Sequence, residues 1–263
     1  MHSVWACDPT NMGAYLKPTY VYAIGEIYQS AGAPNPMHLI LHTCRFNFKP
    51  EEFRYRAPTP EEKRVELYYS LAAGAKQISF WWYSAPDNYP DSRYYGVGGA
   101  EPETKALWRE IGLVGGEIRT IGDLVSRGCP ASLPIKKPRM LWVRSLLAGT
   151  DTAIVLVVND NLASDRLGTV VKPVENARLD VQVPSWLKPA EAFEVTCEGI
   201  QDVPWKAGAN QVSFDLGTVN LTRMLIFTAD AGLRGRLQSI YDQQCADNSR
   251  TLLAEPGRSV IRN

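Results

Sequence analysis

The chain has 263 residues, 45% of them hydrophobic and 21% charged, the profile of a soluble globular protein with one large domain or two ordinary ones. Twenty-eight basic residues balance 28 acidic ones, so there is no basic footprint for a phosphate backbone, and nucleic acid is excluded as a partner. No apolar run nears the roughly 20 residues that span a bilayer, and the longest, Ala153 to Val158, is strand length, so no membrane partner is expected.

The chain opens almost at once on a buried-strand pattern, Ser3 to Cys7, ending in Asp8-Pro9. No charged and apolar leader precedes it, so no signal peptide is visible and the compartment is left open. A helix is expected from about Tyr20 to Ser30, with Ile24, Ile27 and Tyr28 as its apolar stripe and Gly32 as its stop. The second strand is Met37 to Thr43, followed by a polar, aromatic loop from Cys44 to Pro58. Thr59-Pro60-Glu61-Glu62 then predicts a capped helix start: Thr59 as N-cap, Pro60 at N1, and Glu62 at N3 with its carboxylate reaching back to the cap nitrogen. That helix runs to about Ala73, with Val65, Tyr68, Tyr69 and Ala72 as its packed face and Gly74 at C′. The third strand is Gln77 to Tyr83, and a long loop rich in Tyr, Asp, Pro and Gly follows to Gly99. A last helix spans about Glu103 to Ser126, its apolar residues spaced by three and four, with Gly128 and Pro130 ending it.

Strands alternating with helices imply parallel strands joined by right-handed crossovers. The long loops all follow strands, which is where (β/α)8 barrels build their active sites and where doubly wound sheets also bind ligands. From Lys136 the pattern changes. Pro130, Pro134 and Pro138 read as a linker. Short strands follow at Arg139 to Leu147, Thr152 to Asn159, Ala177 to Val183, Glu191 to Cys197, Gln211 to Leu216 and Arg223 to Thr228, which suggests an antiparallel β-sandwich. Leu233 to Ala246 reads as an amphipathic helix. The placing of the long loops alone does not choose between the two folds, and the expected division is an α/β domain of three βα units over 1–130, a sandwich over 136–230 and a helical tail over 231–263.

Chemistry-bearing motifs are sparse. No G-x-G-x-x-G or G-x-x-x-x-G-K-[ST] occurs, so no nucleotide cofactor is expected. Cys7, Cys44, Cys129, Cys197 and Cys245 are far apart and odd in number, which argues against a disulfide framework and a zinc site and suits buried free thiols. His38 and His42 fall on one face of a strand about 13 Å apart, too far to share a metal ion. No metal or other cofactor is expected.

The stretch Ala57-Pro58-Thr59-Pro60-Glu61-Glu62-Lys63-Arg64, then Tyr68-Tyr69-Ser70-Leu71-Ala72-Ala73-Gly74-Ala75-Lys76, then Phe80-Trp81-Trp82-Tyr83, resembles the final two βα units of glycoside-hydrolase-type barrels of the β-galactosidase-like and cellulase-like groups. The segment Trp5 to Pro9 resembles strand 6 of the same barrels. The resemblance covers residues 3 to 127. It implies the last three βα units of a (β/α)8 TIM barrel followed by a β-sandwich, a glycoside hydrolase acting on poly- or oligosaccharide, and a chain lacking the N-terminal half of its barrel. The open barrel edge would then be covered by an oligomer partner or by a preceding segment. One departure stands out. Retaining members of that clan carry a Glu at the end of strand 7, whereas this strand ends His42-Thr43-Cys44-Arg45, with Glu51 and Glu52 farther along the loop. A two-carboxylate mechanism needs groups about 5 to 10 Å apart. The alternative is a non-catalytic carbohydrate-binding or scaffold protein on a degenerate barrel, and a third reading is a complete protein of another α/β class.

Asp8 is the catalytic candidate, as a general acid or an acceptor for a sugar hydroxyl, against a bland role capping the turn before Pro9. His42 and Arg45 are candidates for contact with sugar hydroxyls, against a structural hydrogen bond or salt bridge. Trp81, Trp82 and Tyr83 are the strongest pointer to sugar, because C–H faces of sugar rings stack on aromatic planes. Adjacent strand residues face opposite ways, so only one of Trp81 and Trp82 is expected to face the interior. Asp87, Tyr94 and Tyr95, in the following loop, are candidates for a subsite wall, against a plain surface loop. Trp186 and Trp205 read as packing residues of the sandwich.

Overall fold

The computed structural model describes residues 2–4, 21–48, 53–84, 94–165 and 167–255. Asp8 and Asp87 lie outside the described residues. The chain is mixed α/β and divides into two compact units, residues 1–111 with 162–170, and residues 112–161 with 171–263.

The first unit is built on three parallel strands, β1 (His2–Val4), β2 (His38–His42) and β5 (Gln77–Trp81), in the order β1-β2-β5. The helix α1 (Val21–Gly32) precedes β2. Helix α2 (Pro60–Ala72) links β2 to β5, and α3 (Pro102–Thr120) follows β5. The start of α2 is the capping box expected from the sequence: Thr59 accepts from the Glu62 backbone, and Glu62 accepts from the Thr59 backbone at 2.7 Å. Its end is closed by Gly74 at φ +92°, a conformation that disfavours any side chain.

Helix α2 departs from the one-faced helix expected of it, because it is buried from Glu62 to Ala72 all round. Its charged residues are buried as pairs. Arg64 Nε donates to Glu110 at 2.5 Å, Arg56 donates to Glu62 at 2.7 Å, and Lys63 donates to Glu66. A buried charge without such a partner would be strongly destabilising.

The loop expected from Cys44 to Pro58 contains two strands, β3 (Arg45–Phe48) and β4 (Phe53–Tyr55). They pair with each other, and β3 also pairs with β6 (Tyr94–Tyr95), giving the order β4-β3-β6. The segments that follow β2 and β5 are thus joined in one small antiparallel sheet.

In the second unit, α3 breaks at Ile121 and a short helix α4 (Gly122–Arg127) follows, where one continuous helix was expected. The proline-rich stretch expected next as a linker carries two short strands. β7 (Gly128–Ala131) pairs with β9 (Leu141–Ala148), and β8 (Ile135–Lys136) pairs with β13 (Val174–Gln182). Pro130 is tolerated because β7 is an edge strand of its sheet. Cys129 on this edge is exposed, unlike the buried thiols at Cys44, Cys197 and Cys245.

The larger antiparallel sheet adds β10 (Thr152–Asn159), β14 (Glu191–Thr196), β15 (Gly199–Gln201) and β18 (Thr222–Thr228), in the order β15-β14-β18-β10-β9-β7. The smaller adds β16 (Trp205–Ala207) and β17 (Gln211–Val219), in the order β16-β17-β13-β8. Alternate residues of the two sheets share one core, in which Val143, Val155 and Val157 of the larger meet Leu179, Val181 and Phe214 of the smaller. Trp205 packs against this core, while Trp186 is exposed. Beyond the expected helix α5 (Leu233–Gln244), the tail forms a second one, α6 (Ala246–Ala254). Tyr241 of α5 donates its hydroxyl to the Cys197 carbonyl at 3.0 Å, tying α5 to the larger sheet. No described helix is long and apolar enough to cross a membrane.

Between β10 and β13 the chain makes a hairpin, β11 (Leu162–Asp165) and β12 (Gly168–Val171), whose residues 162–170 belong to the first unit. Thr169 Oγ1 donates to Glu62 at 2.9 Å, and Thr59 Oγ1 donates to Thr169 at 3.1 Å, so the hairpin fastens the start of α2.

Candidate functional site

Parallel pairing aligns His42 with Trp81, and Ile40 with Ser79. Aligned residues of neighbouring strands point to one face, so His38, His42, Gln77, Ser79 and Trp81 share a mostly polar face of the sheet. His38 Nε2 lies 2.7 Å from Ser79 Oγ across that face. Phe80 points the other way and packs against Val97, Leu107 and Ile111, the last two on α3. Trp81 therefore faces away from α3 and stands 36% exposed at the C-terminal end of its strand.

Trp82 leaves the strand with φ +76°. For a bulky residue this is a true outlier, with a cost of order 1–3 kcal/mol that the surroundings must offset. They do so from two sides. Thr43 donates its backbone N–H at 3.3 Å and its hydroxyl at 2.7 Å to the Trp81 carbonyl. On the other side Gly96 donates to Ser84 at 3.0 Å, Val97 to Trp82 at 3.4 Å and Gly98 to Tyr83 at 2.8 Å. Gly96 has no alternative here, because a Cβ would stand 2.3 Å from the Trp82 carbonyl oxygen. The kink leaves Tyr83 66% exposed, its ring edge-on to Trp108 with centroids 5.7 Å apart. The Trp81 and Trp82 rings lie 6.2 Å apart.

Arg45, at the start of β3, places its guanidinium 4.1 Å from the centroid of the Tyr95 ring, within 3.9 Å of Glu101 and 3.7 Å of Glu103. These are half-exposed contacts, and the ion pairs are weak ones.

His42 is 1% exposed, and its Nε2 contacts the Cys44 carbonyl. Burial, with the charge of Lys63 adding to it, pushes its pKa down to about 3. It is therefore neutral at physiological pH and unsuited to general acid–base work there. Behind it, Lys63 Nζ donates to the His42 carbonyl at 2.5 Å and to Glu66. Burial pushes Glu66 up to about 7, with Lys63 opposing. Its Oε1 has no hydrogen-bond partner among the described residues.

No family model matches the chain. No curated protein matches it either. Among solved structures it is similar to a cycloisomaltooligosaccharide glucanotransferase from Paenibacillus sp. complexed with cycloisomaltoheptaose, at 12% identity over 66% of this chain and 28% of that one, with a TM-score of 0.48. It is also similar to a bacterial fucosidase bound to an inhibitor, at 15% identity over 88% of this chain and 42% of that one, TM-score 0.44. A third is a glycoside hydrolase family 5 protein from Bacteroides vulgatus, at 12% identity over 79% and 44%, TM-score 0.40. These structural neighbours include glycoside hydrolases, at low identity, and the chain spans less than half the length of each.

Of the residues singled out from sequence, the structure brings Trp81, Trp82 and Tyr83 together around one kinked strand end. It buries His42 beneath it and sets Arg45 in a separate cluster with Tyr95, Glu101 and Glu103. Sequence reading missed Lys63, Glu66, Gly96, Gly98 and Trp108. Only the two glycines carried a signal, as the spaced Gly pair closing the loop after β5.

Proposed function

We propose that the chain is a carbohydrate-active protein of glycoside-hydrolase type. Residues 1–130 are the last three βα units of a (β/α)8 barrel, 136–230 a β-sandwich, and 231–263 a helical tail. The reading rests on the aromatic strand end: Trp81 is exposed on the polar face of parallel strands, beside a strained Trp82 that Thr43 and Gly96 to Gly98 hold in place. Strained backbone concentrates at ligand sites, and an exposed indole matches the C–H face of a sugar ring. The Ala57–Tyr83 resemblance supports the same reading. In it Asp8 supplies the acid or accepts a sugar hydroxyl, Asp87 forms a subsite wall, Arg45 contacts hydroxyls, and His42 positions the strand end rather than touching sugar.

The test is titration of the full chain with a panel of α- and β-linked oligosaccharides, followed by tryptophan fluorescence and by product analysis. Binding by the wild type that weakens about tenfold or more in Trp81→Ala is expected; a chain that binds and cleaves none of the panel refutes the reading. A second reading, binding without hydrolysis, is favoured by the strand end His42-Thr43-Cys44-Arg45, which has no carboxylate, and by a His42 held neutral. Cleavage abolished by Asp8→Asn decides for the enzyme, and binding without turnover decides for the second reading.

A further inference from the structure

Tyr83, the outermost residue of the strand end, forms a corner with Trp108, a residue of α3 that the strand-end site does not include. Both rings are large and open to solvent, 66% and 49% exposed. They meet at an interplanar angle of 66°, so they present two walls rather than one flat patch. The corner is also rigid. Gly98 lies so close to Tyr83 that a Cβ there would stand 3.1 Å from two ring carbons and 2.6 Å from its carbonyl oxygen, and the Gly98 N–H holds that carbonyl at 2.8 Å. The kink at Trp82 is what turns Tyr83 out of the strand. On α3 the exposed Lys105 lies three residues before Trp108, the position of a neighbour on a helix surface.

We propose that Tyr83 and Trp108 are a second sugar subsite, holding one ring of an oligosaccharide apart from the ring stacked on Trp81. This rests on the carbohydrate reading and extends it: the ligand is a chain of several sugar units rather than a simple glycoside. Size argues for a sugar over a protein. Two aromatic side chains bury about 150–250 Å² each, far below the roughly 1,000 Å² of a stable protein interface. A ring with an apolar face and a hydroxyl rim suits aromatic walls with a polar neighbour such as Lys105.

The experiment measures the affinity of the full chain for a homologous series, from the monosaccharide to the hexasaccharide, of whichever glycan binds it, in wild type, Trp108→Ala and Trp108→Phe. The expected result is an affinity that rises with chain length in the wild type and loses about tenfold in Trp108→Ala for the long members only, with Trp108→Phe restoring most of it. Equal affinity of wild type and Trp108→Ala across the whole series overturns the second subsite while leaving the strand-end reading intact. Equal loss for the monosaccharide and the hexasaccharide overturns it too, since that is the mark of a structural effect. A wild type that binds no member of any series overturns both.

Discussion

Replacing Glu66 by glutamine should tilt the pH profile of stability by an amount that the buried cluster on α2 sets. Burial lifts Glu66 from its ordinary 4.5 to about 7. A carboxyl raised in this way adds stability that is full below pH 4.5 and is lost as pH rises to 7. Burial lowers His42 from 6.5 to about 3. A base lowered in this way adds stability that is full above pH 6.5 and is lost as pH falls toward 3. Between pH 4.5 and 6.5 each contributes a slope of at most about 1.36 kcal/mol per pH unit, with opposite sign, so the two largely offset each other. Glu66→Gln removes the falling slope. Over these two pH units the variant should gain about 2 kcal/mol relative to the wild type as pH rises. His42→Gln should lose about the same amount over the same window. Lys63, whose charge acts on both groups, stays in both variants, held in the first by the His42 carbonyl. The assay is urea unfolding at pH 4.5, 5.5 and 6.5 at fixed ionic strength, followed by far-UV circular dichroism. A difference between Glu66→Gln and wild type that stays constant across the three pH values would refute the reasoning.

Arg223→Met should destabilise the second unit by about 3–5 kcal/mol, because it strands the buried Glu194 carboxylate that two guanidinium nitrogens now hold. Denaturant titration would measure this, and Arg223→Met with Glu194→Leu should recover much of the loss. Gly96→Ala places a Cβ 2.3 Å from the Trp82 carbonyl oxygen and 2.7 Å from the Tyr83 carbonyl carbon. Both are backbone atoms, so the strand end must move, and the near-UV circular dichroism of the tryptophans should change while the far-UV spectrum does not.

What could be read from sequence was local. The Thr59 to Glu62 capping box lies within four residues, so its two hydrogen bonds are implied by residue types and spacing alone. The strands β10 and β18 carry their own apolar pattern and appear close to where they were expected. What escaped was set by distant partners. Arg45 and Phe46 become strand by pairing with Tyr94 and Tyr95 across about 50 residues of chain, and nothing in the polar run itself specifies that. Pro130 reads as a breaker, yet an edge strand needs no N–H from it on the open side. Lys63, Arg64 and Glu66 look like a solvated helix face. Their burial becomes affordable only through Glu110, from another helix, and the His42 carbonyl, from a strand. At the strand end the aromatic run was visible, but the φ of Trp82 depends on Gly96 to Gly98, which approach from the far side of a loop.

The hairpin at residues 162–170 makes the first unit discontinuous in sequence. Its residues are synthesised some 50 positions after the rest of that unit, when β9 and β10 of the second unit have already emerged. The Thr59 and Glu62 side chains that receive Thr169 must therefore wait for it. Completion of the first unit is chained to the synthesis of the second, and no single cut of the polypeptide yields both units whole. Two halves produced separately should each lack something, whereas coexpressed halves split at a loop within the second unit stand a better chance of reassembly.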